Sequence, residues 1–152
     1  MVAAKLRKAY VFDVDGTIAN CDHRVHHIRG PGKKDWDSFY AGQLQDPPIP
    51  HMVHLAVQLS EVTPVLIVTG RPMDYRRVTT EWLRTHLGDC WDGLYMRDHG
   101  DFRDDSIVKV ELMNRVRADG YEVVVAFEDR TRVVEAYRAA GIPCAQVAPG
   151  DF

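Results

Sequence analysis

AYVFDVDGT, residues 9–17, is an apolar run that ends on two aspartates, a glycine and a threonine. From Ala9 to Val14 the run barely alternates between apolar and polar. A strand of that kind is covered on both faces, as in a parallel sheet. Asp13 and Asp15, two residues apart on an extended segment, share a direction, and Gly16 permits a turn directly after them.

Outward from this stretch the same signal returns. Val65 to Val68 (VLIV), after Pro64, and Val123 to Phe127 (VVVAF) read as buried strands, and Leu94 to Met96 and Cys144 to Val147 as shorter ones. Helices are predicted between them. Met52 to Glu61 has apolar Val53, Ala56, Val57 and Leu59 at helical spacing, and Asp74 to Leu87 follows. Ser106 to Ala118 starts from a cap at Asp105 or Ser106, and Thr131 to Ala140 is stopped by Gly141 and Pro143. The order β-α-β-α-β-α-β-α-β predicts an α/β fold, a Rossmann-like parallel sheet flanked by helices. One stretch is irregular: Cys21 to Pro50 holds Gly30, Pro31, Gly32, Pro47, Pro48 and Pro50, with a small helix predicted at Asp35 to Ala41. Long connections inside compact domains usually carry function.

The 152 residues, 45% hydrophobic and 27% charged, predict a single globular domain over 1–152 with a full core, and exclude a wholly disordered, collagenous or coiled-coil chain. No apolar run reaches bilayer length, and Met1 to Lys8 lacks the apolar segment of a secretory signal, so the expected location is cytoplasmic, with no membrane partner. Cys21, Cys90 and Cys144 are odd in number with no CxxC spacing, which suits reduced thiols. A net charge of -3 excludes a generally basic, polyanion-coating protein. Nucleic-acid contact would have to be local. HRVHHIRGPGKK, residues 23–34, carries Arg24, Arg29, Lys33 and Lys34 and no acid, with Trp36, Phe39 and Tyr40 beside it. That composition suits a single-stranded phosphate backbone with stacked bases, or else a solvated loop anchored by Trp36 and Phe39. Its histidines have no fourth zinc ligand at convincing spacing.

Ligands of open α/β sheets bind at the carboxyl ends of the strands. The ends here are Asp13-Val14-Asp15-Gly16-Thr17, Thr69-Gly70-Arg71 and Glu128-Asp129-Arg130, with Lys109 near the start of the preceding helix. Four acids gathered at one edge need a compensating cation, and oxygen ligands point to Mg²⁺.

DxDGT, then TGR, then a lysine, then an acidic pair, in that order, resembles the haloacid dehalogenase superfamily of aspartyl-phosphate phosphohydrolases. The runs DVDGT, DPPIP, VTGRP, WL, MRDHGDFRDD, VK and EDRTRVVEAYRAAGIPCAQVAPGDF resemble more narrowly the 3′-phosphatase domain of bacteriophage-type polynucleotide kinase/phosphatases. The similarity spans Tyr10 to Phe152, and Gly100-Asp101-Phe102-Arg103 and Gly150-Asp151-Phe152 are its most specific parts. Two departures stand out. No phosphate-cradling GxxxxGK[ST] loop of a kinase is present, so the phosphatase is expected to stand alone. The acidic pair is Glu128-Asp129, where the phage-type family has two aspartates.

The resemblance implies a Mg²⁺-dependent phosphomonoesterase that removes the 3′-phosphate from RNA or DNA ends in nucleic-acid repair, with minimal or no cap. It leaves room for a kinase or ligase on a separate chain, and for a host-cell cytoplasm if the source is viral. Asp13 is the expected nucleophile and Asp15 the general acid/base, its pKa raised by neighbouring acids. Thr17 orients Asp15 or closes the turn. Thr69 and Lys109 take phosphate charge, and the metal is held by Asp13, Asp129 and the backbone carbonyl of Asp15. Arg24, Gly70, Arg71 and Arg130 are expected to meet the substrate, and Arg97 and Arg103 to contact phosphate or hold Asp105. Asp105 and Glu128 are expected to orient Lys109, Asp105 lying four residues before it.

The inserts after the first and second motifs are too short for a separate cap domain, which suits a polymer end. The alternatives are a phosphatase of nucleotides or other small phosphate esters, and an inactive protein that binds phosphorylated ends. A phospho-receiver module also combines an acidic pair, an acceptor Asp, a Thr and a Lys, but it places pair and acceptor on different strands, and the DxDGT spacing argues against it.

Overall fold

In the computed structural model, which describes residues 2–151, five parallel strands are ordered β3-β2-β1-β4-β5. They are β1 (Arg7–Phe12), β2 (Val65–Pro72), β3 (Gly93–Arg97), β4 (Tyr121–Glu128) and β5 (Cys144–Gln146). The helices are α1 (Trp36–Ala41), α2 (Pro50–Ser60), α3 (Arg76–Leu87), α4 (Asp105–Ala118) and α5 (Thr131–Ala139). Met1 and Phe152, the latter closing the GDF ending, lie outside the described residues.

Neighbouring positions on each central strand enter opposite cores. Phe12, Val65 and Ile67 pack with Met52 and Ala56 of α2 and Trp82, Leu83 and Leu87 of α3. Val11, Leu66 and Val68 pack with Val108, Leu112 and Val116 of α4 and Val133 and Tyr137 of α5. This double covering is why the strands read as continuous apolar runs.

The elements end where backbone chemistry dictates. The apolar run continues to Val14, but β1 stops at Phe12. The Val14 carbonyl accepts the N–H groups of Thr17, Ile18 and Ala19 at 3.1, 3.0 and 2.9 Å, and Gly16 takes φ +83°. The DVDGT segment is therefore a tight turn at the sheet edge. Strand β2 runs further than its apolar core, and its pairing with β3 slips between Thr69 and Pro72. Such a bulge re-aims a side chain, and here it spans Gly70 and Arg71. Helix α4 starts one residue earlier than predicted, at Asp105, because Asp104 caps it by accepting from the Ser106 N–H. Helix α3 starts at Arg76 after a 3₁₀ turn at Met73–Tyr75.

The irregular stretch is structured. It contains 3₁₀ turns at Asp22–His27 and Gln43–Gln45 as well as α1, around a small cluster of Cys21, Val25 and Phe39. It is no separate cap domain, yet Asp13 is only 4% exposed and lies recessed at the sheet edge. Among the described residues no helix is long and apolar enough to cross a membrane.

Candidate active site

Lys109, carried inward by the first turns of α4, lies between two carboxylates. Its Nζ donates to Asp13 Oδ1 at 2.8 Å and to Glu128 Oε2 at 2.7 Å, and all three residues are buried. The Thr17 hydroxyl donates to the other Asp13 oxygen at 3.0 Å. Thr17 thus touches Asp13 rather than Asp15, because the turn at Val14 folds it back over the end of β1. Glu128 Oε1 accepts the backbone N–H groups of Asp129 and Arg130, both at 3.2 Å. One side chain therefore fixes the lysine and the turn after β4.

Asp13, Glu128 and Asp129 each offer a carboxylate oxygen, all within 4.8 Å of one another. Burial first, then the Glu128 charge, pushes the Asp13 carboxyl up to about 7 against the pull of Lys109. Burial and the Asp13 and Glu128 charges push Asp129 up to about 9. Burial opposes the Lys109 charge, but Asp13 and Glu128 outweigh it and hold its pKa well above the usual lysine value. One ammonium does not balance three carboxylates. The all-oxygen set with surplus negative charge fits Mg²⁺.

Two glycines make this close approach achievable. A Cβ on Gly16 would run into the Asp129 carboxylate, and one on Gly150 into the Asp129 backbone. The Gly150 carbonyl also accepts from Thr131 N–H at 2.9 Å, and Gln146 Nε2 donates to the Asp129 carbonyl at 3.0 Å. Gly150 thus packs directly against the acidic turn.

Asp15 is held differently from expectation. Arg24 Nη2 donates to its Oδ1 at 2.6 Å, and Arg71 donates through Nη2 to Oδ1 at 2.7 Å and through Nε to Oδ2 at 3.0 Å. Burial would raise this carboxyl, but the Arg71 and Arg24 guanidinium groups outweigh it and hold it well below the usual carboxylate range. The expectation of a raised Asp15 is corrected: two cations face it, not a surplus of acids. Arg24 and Arg71 are themselves buried and occupied by protein carboxylates.

A second carboxylate completes this arrangement and was missed by sequence reasoning. Asp46, with no side-chain exposure, accepts from Arg24 Nε at 2.7 Å and Arg24 Nη2 at 2.5 Å, and from Arg71 Nη2 at 3.3 Å. His23 Nε2 lies 2.7 Å from its Oδ1, and the Trp82 indole donates to its backbone carbonyl at 2.9 Å. Gln43 Oε1 accepts from Arg71 Nη1 at 2.7 Å and from Thr79 at 2.8 Å. The available signal was the DPPIP run, which begins at Asp46.

Asp105 also differs from expectation. It makes no hydrogen bond to Lys109; it accepts from Arg97 Nη2 and, at 2.7 Å, from Arg130 Nη1. It packs so closely on Gly70 that a Cβ there would overlap its carboxylate. Arg97 also donates to the Gly70 carbonyl at 2.8 Å. Asp105 therefore ties the ends of β2, β3 and β4 together, and its charge reaches Lys109 only through space. Arg103 is turned outward: it pairs with Asp101 at 2.8 Å and Glu111 at 2.6 Å, and holds neither Asp105 nor the site. Thr69 is buried, its hydroxyl accepting the Arg71 N–H at 3.2 Å.

Known proteins resemble the chain to different depths. The chain superposes along its whole length on chains from two structures of a Pnkp1/Rnl/Hen1 complex, described in one as an RNA repair complex. The TM-scores are 0.79 and 0.80, the identities 29% and 30%, and the chain covers 47% and 50% of those chains. It is 26% identical over 144 residues to a protein of Autographa californica nuclear polyhedrosis virus provisionally described as a bifunctional polynucleotide kinase/RNA ligase, covering 93% of this chain and 19% of that protein. The chain thus spans half or less of the length of these relatives. A haloacid dehalogenase-like hydrolase from Streptococcus pneumoniae shares the fold, with TM-score 0.67 and 15% identity over 91% of this chain and 83% of that one. The family model of the polynucleotide kinase PNKP phosphatase domain matches residues 7–152, from the first residue of β1 onward, and the chain belongs to that family.

Proposed function

We propose that this chain is a Mg²⁺-dependent phosphomonoesterase that removes the 3′-phosphate from polynucleotide ends, with Asp13 as the nucleophile. The observation that carries the reading is the placement of Asp13, with one oxygen on the Lys109 ammonium and the other on the Thr17 hydroxyl, beside Glu128 and Asp129. A carboxylate attacking an anionic phosphate is opposed by like charge, so cations must be in place beforehand. Asp13 and Asp129, with the Asp15 backbone carbonyl, would hold the metal. When bound, Mg²⁺ supplies the positive charge that lets carboxylate and phosphate approach.

In the first step the Asp13 oxygen bonds to phosphorus as the ester oxygen leaves, giving an acyl phosphate and a free 3′-hydroxyl. In the second, water attacks the same phosphorus, releasing inorganic phosphate and the Asp13 carboxylate. Asp15 gives the leaving oxygen its proton and then takes one from the attacking water. The resting grip of Arg24 and Arg71 keeps Asp15 ionised, ready to act as the base. Its acid role asks that this grip loosen, and the anionic substrate end competes for the same two guanidinium groups. Lys109 and Thr69 hold the transferred group's remaining charge, while Glu128 keeps Lys109 in place.

The Pnkp1/Rnl/Hen1 chains, one of them described as part of an RNA repair complex, and the viral protein provisionally described as a polynucleotide kinase/RNA ligase support polynucleotide ends as the substrate, with kinase and ligase activities as partners. A cytoplasmic setting, the host's if the source is viral, suits three free cysteines. The test is phosphate release from matched RNA and DNA 3′-phosphate oligonucleotides with and without Mg²⁺, beside a panel of nucleotides and sugar phosphates. Parent protein should favour the oligonucleotides only with metal, and Asp13→Asn should lose both turnover and covalently trapped phosphate. Preference for the small esters, or equal behaviour of Asp13→Asn and parent, refutes the reading.

A further inference from the structure

A row of aromatic rings borders the segment that delivers Arg24 to Asp15. Tyr40 lies between Trp36, stacked on it at 5.9 Å and 22° between planes, and Tyr75, tilted against it at 4.8 Å and 33°. Trp36 is 40% exposed, and Tyr40 and Tyr75 are half-buried. Tyr40 adjoins the site through Phe39: Arg24, which grips Asp15, donates to the Phe39 carbonyl at 3.0 Å and lies over its ring at 4.2 Å, and the Phe39 and Tyr40 rings meet edge to face at 5.2 Å.

The row continues onto one face of α3. Met73 and Asp74, in the turn that carries Tyr75, lead into a shallow open surface along α3, whose lining includes Arg76, Arg77, Glu81 and Arg84. Asp74 is engaged by His99 at 2.7 Å, which leaves Glu81 as the only other acid in the lining against three arginines. Arg76 turns back to the Leu94 carbonyl at 3.2 Å. Arg77 and Arg84 are exposed, and no ion pair joins either to another described residue. Seven residues of helix set them roughly 10 Å apart. Lys33 and Lys34 are exposed at the other end of the row, Lys34 Nζ lying 5.5 Å from the Trp36 ring.

We infer that the Trp36-Tyr40-Tyr75 row and the Arg77–Arg84 face of α3 form the binding track for the single strand leading into the site, the outer rings Trp36 and Tyr75 stacking its bases on their free faces, Tyr40 bracing them, and the arginines meeting its backbone phosphates. This inference rests on the proposed reaction and names how its polymer substrate is held. Every base has a face to stack, so such a track is tolerant of sequence. The regular cationic spacing along an exposed helix favours a polyanion over an apolar protein surface.

The test compares parent, Tyr75→Ala and the double variant Arg77→Ala/Arg84→Ala. Binding is read by anisotropy of a labelled single-stranded oligonucleotide with a 3′-hydroxyl end, in ribo- and deoxyribo- forms. Turnover is read as the ratio of kcat/KM on a 3′-phosphorylated oligonucleotide to that on a nucleoside 3′-monophosphate. Tyr75→Ala should lower that ratio about tenfold, on the scale of one lost stack, and the double variant should lower it through its lost phosphate contacts. The double variant should also flatten the log–log salt dependence of binding by about 1.4, since each of the two phosphates it no longer neutralises accounts for about 0.7 of the slope. Variants that keep the parent's ratio and salt slope overturn the track. So does a parent that hydrolyses 3′-phosphorylated ends with no gain from chain length, a result that leaves the proposed reaction standing. A parent that binds the strand with the variants impaired, yet hydrolyses no 3′-phosphate, supports the track and refutes the reaction.

Discussion

Arg24 and Asp46 form a two-pronged pair in the interior, Nε to Oδ1 at 2.7 Å and Nη2 to Oδ2 at 2.5 Å, and the same Arg24 Nη2 reaches Asp15 at 2.6 Å. Asp46 thereby shares the two arginines with Asp15 and sets how tightly Asp15 is gripped. Asp46→Asn keeps the volume but removes the charge and turns an N–H₂ group toward a guanidinium. Breaking one side of a buried ion pair costs about 3–5 kcal/mol, so urea unfolding should register a loss of that order. Phosphatase activity should fall about 10–100-fold, the usual scale for removing a partner that orients a reacting group. A variant with parental stability and turnover would show that Asp46 neither supports the fold nor sets the grip on Asp15.

Lys109 stands in a comparable position between Asp13 and Glu128. Lys109→Met leaves two buried carboxylates facing each other without their cation. Activity should be lost, and stability should drop by about 3–5 kcal/mol. If that loss is electrostatic, Lys109→Met/Asp13→Asn should recover part of it, while Asp13→Asn alone perturbs the fold far less. Equilibrium unfolding of the double-mutant cycle checks this; additive losses would mean that Lys109 matters for packing alone.

The strand-end motifs were legible because each follows a buried apolar run, and a parallel sheet brings such ends to one edge. That reasoning reached Asp13, Lys109, Glu128 and Asp129 from sequence separations as large as that between Asp13 and Lys109. It did not reach Asp46 or Gln43. Both lie in a stretch of prolines and glycines where no periodicity signals burial, and both act through arginines rather than at a strand end. The same blind spot reversed the expected pKa of Asp15. The acids near it were visible in the sequence, whereas the folding of the 21–50 segment that delivers Arg24 was not. Asp105 was assigned to Lys109 by helical spacing, but Arg97 from β3 and Arg130 from the turn before α5 reach it, and they are neighbours only in the folded sheet.

The raised Asp13 and Asp129 carboxyls link stability to pH and metal. In the metal-free folded chain burial first, then the neighbouring carboxylate charges, push them up to about 7 and about 9, against an ordinary value of 3.8. Between these limits the folded state holds protons that the unfolded state has released. Their contribution is therefore fully present below the ordinary value and is lost as pH rises through about 7 and about 9. The metal-free melting temperature should fall from mildly acidic to mildly alkaline pH. Mg²⁺ competes with these protons, so its stabilisation should be larger at about pH 8 than at about pH 6. Thermal melts in EDTA and in saturating Mg²⁺ at both pH values decide it; an equal metal shift at the two would detach the cation from these carboxylates.

Gly16 offers the sharpest separation of site from scaffold. Its φ of +83° lies in the left-handed region, where a non-glycine residue costs about 1–3 kcal/mol. A methyl group there would also occupy the space of the Asp129 carboxylate. The two effects fall on different observables: backbone strain lowers stability, while the clash displaces one acid of the cluster. Gly16→Ala should therefore melt lower than the parent in EDTA, as the strain requires, and in addition lose most of the stabilisation that Mg²⁺ gives the parent, together with activity. Gly120→Ala also places a methyl on a positive-φ residue, in open space at the remote end of β4, and carries the strain without the clash. If both variants kept the same Mg²⁺ response, the close approach of the DVDGT turn to Asp129 would have no part in cation binding.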